Sequence, residues 1–430
     1  VYLLRLLECS KDFYPAELDQ WLATECCAYA QVPYRIREYA NIQRDPQETI
    51  DFDHELADVI EERVARLGAD GKLLPGSDGG PHHVTMLEKL LIPALVKVAN
   101  FVPGGGVWLN TQRPEWNDAN NALVGNGLSV VTACYLRRYC DFMIRWLSGE
   151  NLPESIPVSS EIELLLSRVS ETLGANADLF SIDMSDAQRK QVVDALSLAG
   201  SDYRHQLYER GLSGEKVSLC LGTCIEFLQR CLTMIDHTIR SNRRSDGLYH
   251  SYNLICMEKD SYGVTTLHEM LEGQVAVLSS GLLSAEEAIQ IMDALHESAI
   301  YREDQQSFML YPDRQLANFL NKNNLNCESW KGSQLLQQLI AAENISIVRQ
   351  DVDGGVHFSG EFRNAADLKV ALNTLAENPE YADAVAKDVD SKAEVLHCML
   401  LDVHIQDYAE VDDPMIAAGL LDRLVEIGME

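Results

Sequence analysis

Between Thr111 and Asn121 the sequence gathers Arg113, Glu115, Trp116, Asn117, Asp118, Asn120 and Asn121 into one connector. Each type has a use at a sugar. The indole of Trp116 offers a flat apolar face to a pyranose ring. Arg113 and the three Asn side chains direct hydrogen bonds at hydroxyls, and a carboxylic acid can protonate a glycosidic oxygen. Residue types alone leave a second reading equally open: Asn117 or Asp118 is the N-cap of a long helix from about Ala119 to Leu147, since Asn and Asp are among the best caps. Gly125-Asn126-Gly127 favours a site slightly, because glycine in the first turns of a helix is costly unless something approaches the backbone closely. Packing against another helix would serve equally well.

An acid on one side of a scissile bond needs a partner on the other, and inverting cleavage takes either a base with its water or an anchored phosphate. For hydrolysis the best-placed second carboxylates are Glu269 and Glu272, with Glu272 as the catalytic candidate. Both also fit the polar positions of a helix whose apolar face is Met270, Val275 and Leu278. For phosphorolysis, Arg, His and hydroxyl groups that hold a dianion are wanted. His82 and His83, with Thr85, stand at a helix start, where backbone N–H groups favour an anion; plain N-capping with exposed His explains them as well. Arg240, Arg243 and Arg244 precede Asp246-Gly247-Leu248-Tyr249-His250, a loop in which Tyr249 and His250 suit a sugar subsite. The arginines also read as favourable cations at a helix C-terminus.

Trp116-Asn117-Asp118 followed by Asn120 and Asn121 resembles the Asp-Trp-Asn-Asp motif of cellobiose phosphorylase and its relatives. The resemblance covers about a dozen residues, from Arg113 to roughly Gly127. Glu115 stands where that family usually has the first Asp, and Ala119-Asn120-Asn121 where it has a small residue, a hydrophobic residue and Asn. The likeness implies an (α/α)6 catalytic barrel, an inverting mechanism and Asp118 as general acid. It also implies an oligosaccharide or glycoside substrate, bound by Arg113, Glu115, Trp116, Asn117, Asn120 and Asn121. Inorganic phosphate is the co-substrate if the enzyme is a phosphorylase rather than a hydrolase, and no other cofactor is implied.

Hydrophobic spacing supplies the elements that must position these groups. Helices are expected at about Phe52–Leu67, Val84–Asn100, Ala119–Leu147, Glu161–Leu173, Asp186–Arg210, Gly214–Arg240, Thr265–Ser279 and Ala285–His296, and more follow to Ile427. Strands look scarce: Val107-Trp108-Leu109, and a hairpin near 345–358 across Asp353-Gly354-Gly355. The expected class is therefore all-α, an (α/α)6 barrel or six-hairpin toroid, complete or cut short. A catalytic region over 1–320 precedes a helical continuation or inserted subdomain over 321–430. With Val1 and Glu430 both adjoining helical patterns, the chain reads as a fragment of a longer one.

At 430 residues with 46% hydrophobic content the chain can bury a full core. A net charge of -31 would repel a phosphodiester backbone, which argues against nucleic-acid binding. No apolar run is long enough for a membrane helix. Eleven scattered Cys, an odd number, suit a reducing cytosol. Cys220, Cys224 and Cys231 lack the second pair or spaced His that zinc needs, so no metal is expected. From Asn364 to Glu430, 15 acids face four bases, a solvated acidic face. The competing non-enzymatic reading is a helical scaffold that binds partner proteins through this surface.

Overall fold

A computed structural model describes residues 1–76, 79–111, 123, 125–312, 325, 327–360, 362 and 365–391. The chain divides into two compact units, Val1–Asp313 and Arg314–Glu430.

The first unit is built on helices that pack against a sheet, which corrects the all-α expectation. With 55% helix and 16% strand, a five-stranded sheet and several small sheets, the chain is not an all-α fold. The sheet comprises β1 (Phe101–Val102), β2 (Gly106–Trp108), β3 (Gly127–Ser129), β4 (Tyr252–Met257) and β5 (Tyr262–Thr266). Each strand pairs antiparallel with the next, so the order across the sheet is β5-β4-β3-β2-β1. These strands are two to six residues long, and β1, β2 and β3 are buried at every position. Such strands show no alternation of apolar and polar residues, so periodicity cannot separate them from helix.

Six helices carry most of the core: α1 (Met86–Ala99), α2 (Val130–Leu147), α3 (Ser160–Ala175), α4 (Asp186–Arg210), α5 (Leu221–Ser241) and α6 (Leu271–Ser279). The chain leaves the sheet after β3, runs through α2 to α5 and re-enters at β4. Helix α2 packs on α5 and α6, and α4 on α1 and α3. Two expected helices lose their first turns to strands. The helix expected from Gly214 begins at Leu221, after a strand over Lys216–Cys220 that pairs with Ser155–Ser159. The one expected from Thr265 begins at Leu271, because Thr265 and Thr266 close β5. Of the one expected over Ala119–Leu147, the described helix is Val130–Leu147, after β3, and residues 119–122 and 124 lie outside the described residues.

A buried carboxylate joins two of these parts. Glu88, on the first turn of α1, is fully buried and accepts from Tyr29 Oη (2.9 Å) and from the Ser159 backbone N–H (2.7 Å) and hydroxyl (2.9 Å). It fixes the strand that feeds α3 against α1. Three groups share one carboxylate here, so losing it would orphan several buried donors at once.

In the second unit, strands Val348–Gln350 and Val356–Phe358 form a hairpin that starts three residues after the expected 345. Asp351 shapes its turn, accepting from the backbone N–H of Asp353 (2.9 Å) and Gly355 (2.7 Å), with His357 Nε2 at 2.8 Å. Helix Gln334–Ala341 packs its Leu335, Leu336 and Leu339 with Ile347, Leu368 and Leu372 in a core of its own. Asp388 accepts from the Ser333 hydroxyl and the Leu335 N–H, closing the start of that helix. No helix among the described residues is long and apolar enough to cross a membrane.

Candidate functional site

Arg113, Glu115, Trp116, Asn117, Asp118, Asn120 and Asn121 lie outside the described residues. What is described is the neck that holds the two ends of their segment. The chain enters from β2 and returns to β3, its neighbour in the sheet. Leu109 N–H donates to Gly127 O (2.8 Å), Gly125 N–H to Leu109 O (2.7 Å), and Trp108 Nε1 to Gly125 O (2.7 Å). Gly125 sits at φ +88°, and a Cβ there would lie 2.5 Å from Pro46 O. A glycine is required by both the positive φ and the close backbone approach. The glycines of Gly125-Asn126-Gly127 therefore serve a sheet crossing and not a helix turn.

The cap reading for Asn117 or Asp118 changes too. The helix in question starts at Val130, and its N-cap is Ser129, whose hydroxyl accepts from Thr132 N–H at 3.0 Å. Neither residue caps that helix.

Behind the neck lies a cavity of about 250 Å³. Trp108, Asn110, Thr111, Lys97, Tyr203 and Arg204 are among its walls. Asn110 is buried and donates to Asn100 Oδ1 (2.7 Å). Arg204 projects from the last two turns of α4. Its Nε is shut off from solvent and has no hydrogen-bond partner among the described residues. Burial pushes the guanidinium pKa down, opposed by Tyr208. Sequence reading passed over Arg204 because a lone arginine on a polar helix reads as solvated. The available signal was Gly200 one turn earlier: a Cβ there would press on Ala99 Cβ at 2.9 Å and Arg204 Nη1 at 3.3 Å, so the glycine lets α4 approach α1.

A second cluster gathers the expected residues after β3. Tyr252, opposite Ser129 across β3 and β4, is buried and donates from Oη to Glu272 Oε2 at 2.9 Å. Burial and the Glu272 charge hold the Tyr252 phenol far above its ordinary pKa. Glu272 is thus one hydrogen bond away from the strand pair that carries the chain out of the candidate segment. Tyr249 is 1% exposed, and Gln274 brackets its backbone, accepting from its N–H (2.8 Å) and donating to its carbonyl (2.7 Å). His250 Nδ1 is 2.8 Å from Leu267 O, and its backbone bridges Glu269, whose carboxylate pairs with Arg244 at 3.1 Å. Burial lowers the His250 pKa, with the Leu267 carbonyl opposing.

His82 and His83 stand apart from that cluster: no described contact joins them to Tyr249, His250 or Glu272. His83 pairs with Ala28, and His82 N–H donates to Leu74 O (2.8 Å) while its Nε2 is buried without a partner. Cys224 and Cys231 are buried and Cys220 is exposed; burial pushes the Cys224 thiol up to about 12, as expected of an inert core thiol. Among the described residues, no group of three His, Cys, Asp or Glu is placed to hold a metal ion.

Residues 316–397, in the second unit, match a family model described as GH149 phosphorylase insertion domain 2. No curated protein matches the chain. The match supports a glycoside phosphorylase family for the chain that carries this domain.

Proposed function

We propose that the chain belongs to an enzyme that cleaves a glycosidic bond of an oligosaccharide by phosphorolysis, with inversion, and that Asp118 is the general acid. The observation that carries the reading is the insertion-domain match, which lies some two hundred residues from the Trp116-Asn117-Asp118 motif and is independent of it. In this reading Asp118 protonates the glycosidic oxygen as the leaving sugar departs, while phosphate attacks the anomeric carbon from the opposite face. Trp116 stacks on the ring, and Arg113, Glu115, Asn117, Asn120 and Asn121 hold hydroxyls. His250 is a further candidate for the same substrate, whereas Tyr249 is 1% exposed and His82 and His83 stand apart from the His250 cluster.

Phosphate is its own nucleophile, so phosphorolysis asks no carboxylate to activate water. Glu272, held by Tyr252, is then a positioning group beside the strand that follows the site. A hydrolase would instead need it as the base. Inorganic phosphate is the co-substrate.

The test is sugar phosphate release from a panel of oligosaccharides by the full-length protein, with and without phosphate. Phosphate-dependent release is expected, reduced at least about 100-fold in Asp118→Asn, the scale of a lost general acid. Sugar release that ignores phosphate would turn the reading to hydrolysis. An Asp118→Asn protein of normal activity would remove the acid assignment.

A further inference from the structure

We propose that Cys26 and Cys27 form a redox modification site, a vicinal thiol pair that closes to a disulfide by exchange with a small-molecule disulfide and opens again with a small-molecule thiol. The site is independent of the phosphorylase reading.

Neighbouring residues of an extended chain point their side chains to opposite faces, which keeps two adjacent thiols apart. Here they converge. Cys27 opens the short strand Cys27–Ala28, yet its Sγ lies 3.9 Å from that of Cys26. The cause is the turn just before the strand: Thr24 O accepts from Cys26 N–H at 2.9 Å, a contact between residues two apart that curls the chain. The same carbonyl accepts from Met86 N–H at 3.2 Å, which pins the curl to the first residue of α1. Beyond the pair, Cys27 stands opposite Val84 and Ala28 opposite His83, and Lys89 Nζ donates to Ala28 O at 2.7 Å. Both flanks are anchored, so the fold itself holds the two sulfurs in contact.

Access decides which thiol reacts first. Cys26 is exposed and Cys27 half-buried, so a reagent meets Cys26 with Cys27 behind it. Cys140 and Cys231 also meet, but both are buried and closed to a reagent. The Cys26 thiolate attacks one sulfur of the small-molecule disulfide, forming a mixed disulfide and releasing one thiolate. The Cys27 thiolate then attacks the Cys26 sulfur, the Cys26–Cys27 bond forms, and the second small thiolate leaves. The two protons shed by the cysteines end on the two released thiols, so two protein thiols are oxidised and one disulfide is reduced. Burial and the adjacent Cys26 hold the Cys27 thiol above its ordinary pKa, and the Lys89 ammonium opposes them by favouring the thiolate. Consecutive Cα atoms are about 3.8 Å apart, closer than the roughly 4.4 to 6.8 Å of ordinary disulfides, so the closed ring is strained. Strained, exposed disulfides are the readily reduced ones.

The test is peptide mapping of the full chain after incubation with oxidised glutathione, with iodoacetamide added to trap the thiols that stay free. Trypsin releases residues 12–35 as one peptide, in which Cys26 and Cys27 are the only cysteines. In the oxidised protein this peptide should be unalkylated and lighter by two hydrogens than its reduced form. Excess reduced glutathione should return it to double alkylation. Cys26→Ser and Cys27→Ser should each abolish the ring, and Cys27→Ser should instead accumulate glutathione on Cys26. In urea, where the anchors on either side are lost, the yield of ring at the same glutathione ratio should fall about 10-fold. A wild-type peptide that stays doubly alkylated, or that carries a lasting glutathione adduct in place of the ring, overturns the proposal. So does a yield in urea equal to that of the folded protein, or a ring that excess reduced glutathione leaves closed.

Discussion

Replacing Gly125 by alanine tests how the neck of the candidate segment is held. Gly125 lies at φ +88°, where an L-residue costs about 1 to 2 kcal/mol. The new methyl would meet Pro46 O at 2.5 Å and Pro46 C at 2.9 Å. Those are backbone atoms that cannot swing aside as a side chain can, and forced overpacking costs about 1 to 3 kcal/mol. Together the destabilisation is about 4 kcal/mol, or on the order of 10 °C in melting temperature for a unit of this size. Trp108→Phe removes the indole bond to Gly125 O and part of a buried ring, and should cost about 1 kcal/mol in hydrogen bonding alone. Thermal melts followed by tryptophan fluorescence suit the assay, because Trp21, Trp108, Trp116 and Trp146 all fall within the first unit. Phosphorolysis measured well below the melt should also fall in Gly125→Ala, as the ends of the segment move apart. A Gly125→Ala protein melting within about 2 °C of wild type would refute the reasoning about the neck.

Two further outcomes follow from buried groups. Glu88→Ala should cost about 3 kcal/mol or more by orphaning the Ser159 N–H and hydroxyl and Tyr29 Oη, measurable by urea denaturation; a loss under about 1 kcal/mol would show that the carboxylate does not tie Ser159 to α1. His250, its pKa lowered by burial, should make stability pH-dependent. Below the unfolded pKa of about 6.5 the unfolded chain takes up the proton first, so stability is full above that pH and is lost as pH falls toward the folded value. His237, also lowered by burial, acts in the same window. Melting curves from pH 7.5 to 5.5 should fall less steeply in His250→Asn, and an unchanged slope would contradict the assignment.

Long amphipathic helices were legible in the sequence where the apolar spacing was sustained. The expected Asp186–Arg210 matches α4 end to end, and Val84–Asn100 brackets α1. The 345–358 hairpin was legible because Asp353-Gly354-Gly355 is turn chemistry that few other structures use. Of the central sheet, only the strand expected at Val107-Trp108-Leu109 was legible, as β2. Its other strands are too short and too evenly buried to print a period of two, and β3 pairs with β4 from far along the chain. Glu272 was legible as a residue, but its bond to Tyr252 was not, since that bond exists only once α6 packs beside β4.

The sequence by itself determined the chemistry available in the Thr111–Asn121 connector, the acidic balance, and the residue types at Tyr249, His250 and Glu272. Tertiary structure alone decided that Ser129 caps α2 and that Gly125 serves a sheet crossing. It alone decided that Tyr249 is buried under Gln274 and that Arg204 faces a cavity with no ion pair among the described residues. The physical reason is common to all four. Propensity and periodicity report how a residue relates to its own turn or strand, whereas caps, close approaches and unpaired charges are set by atoms that arrive from elsewhere in the chain.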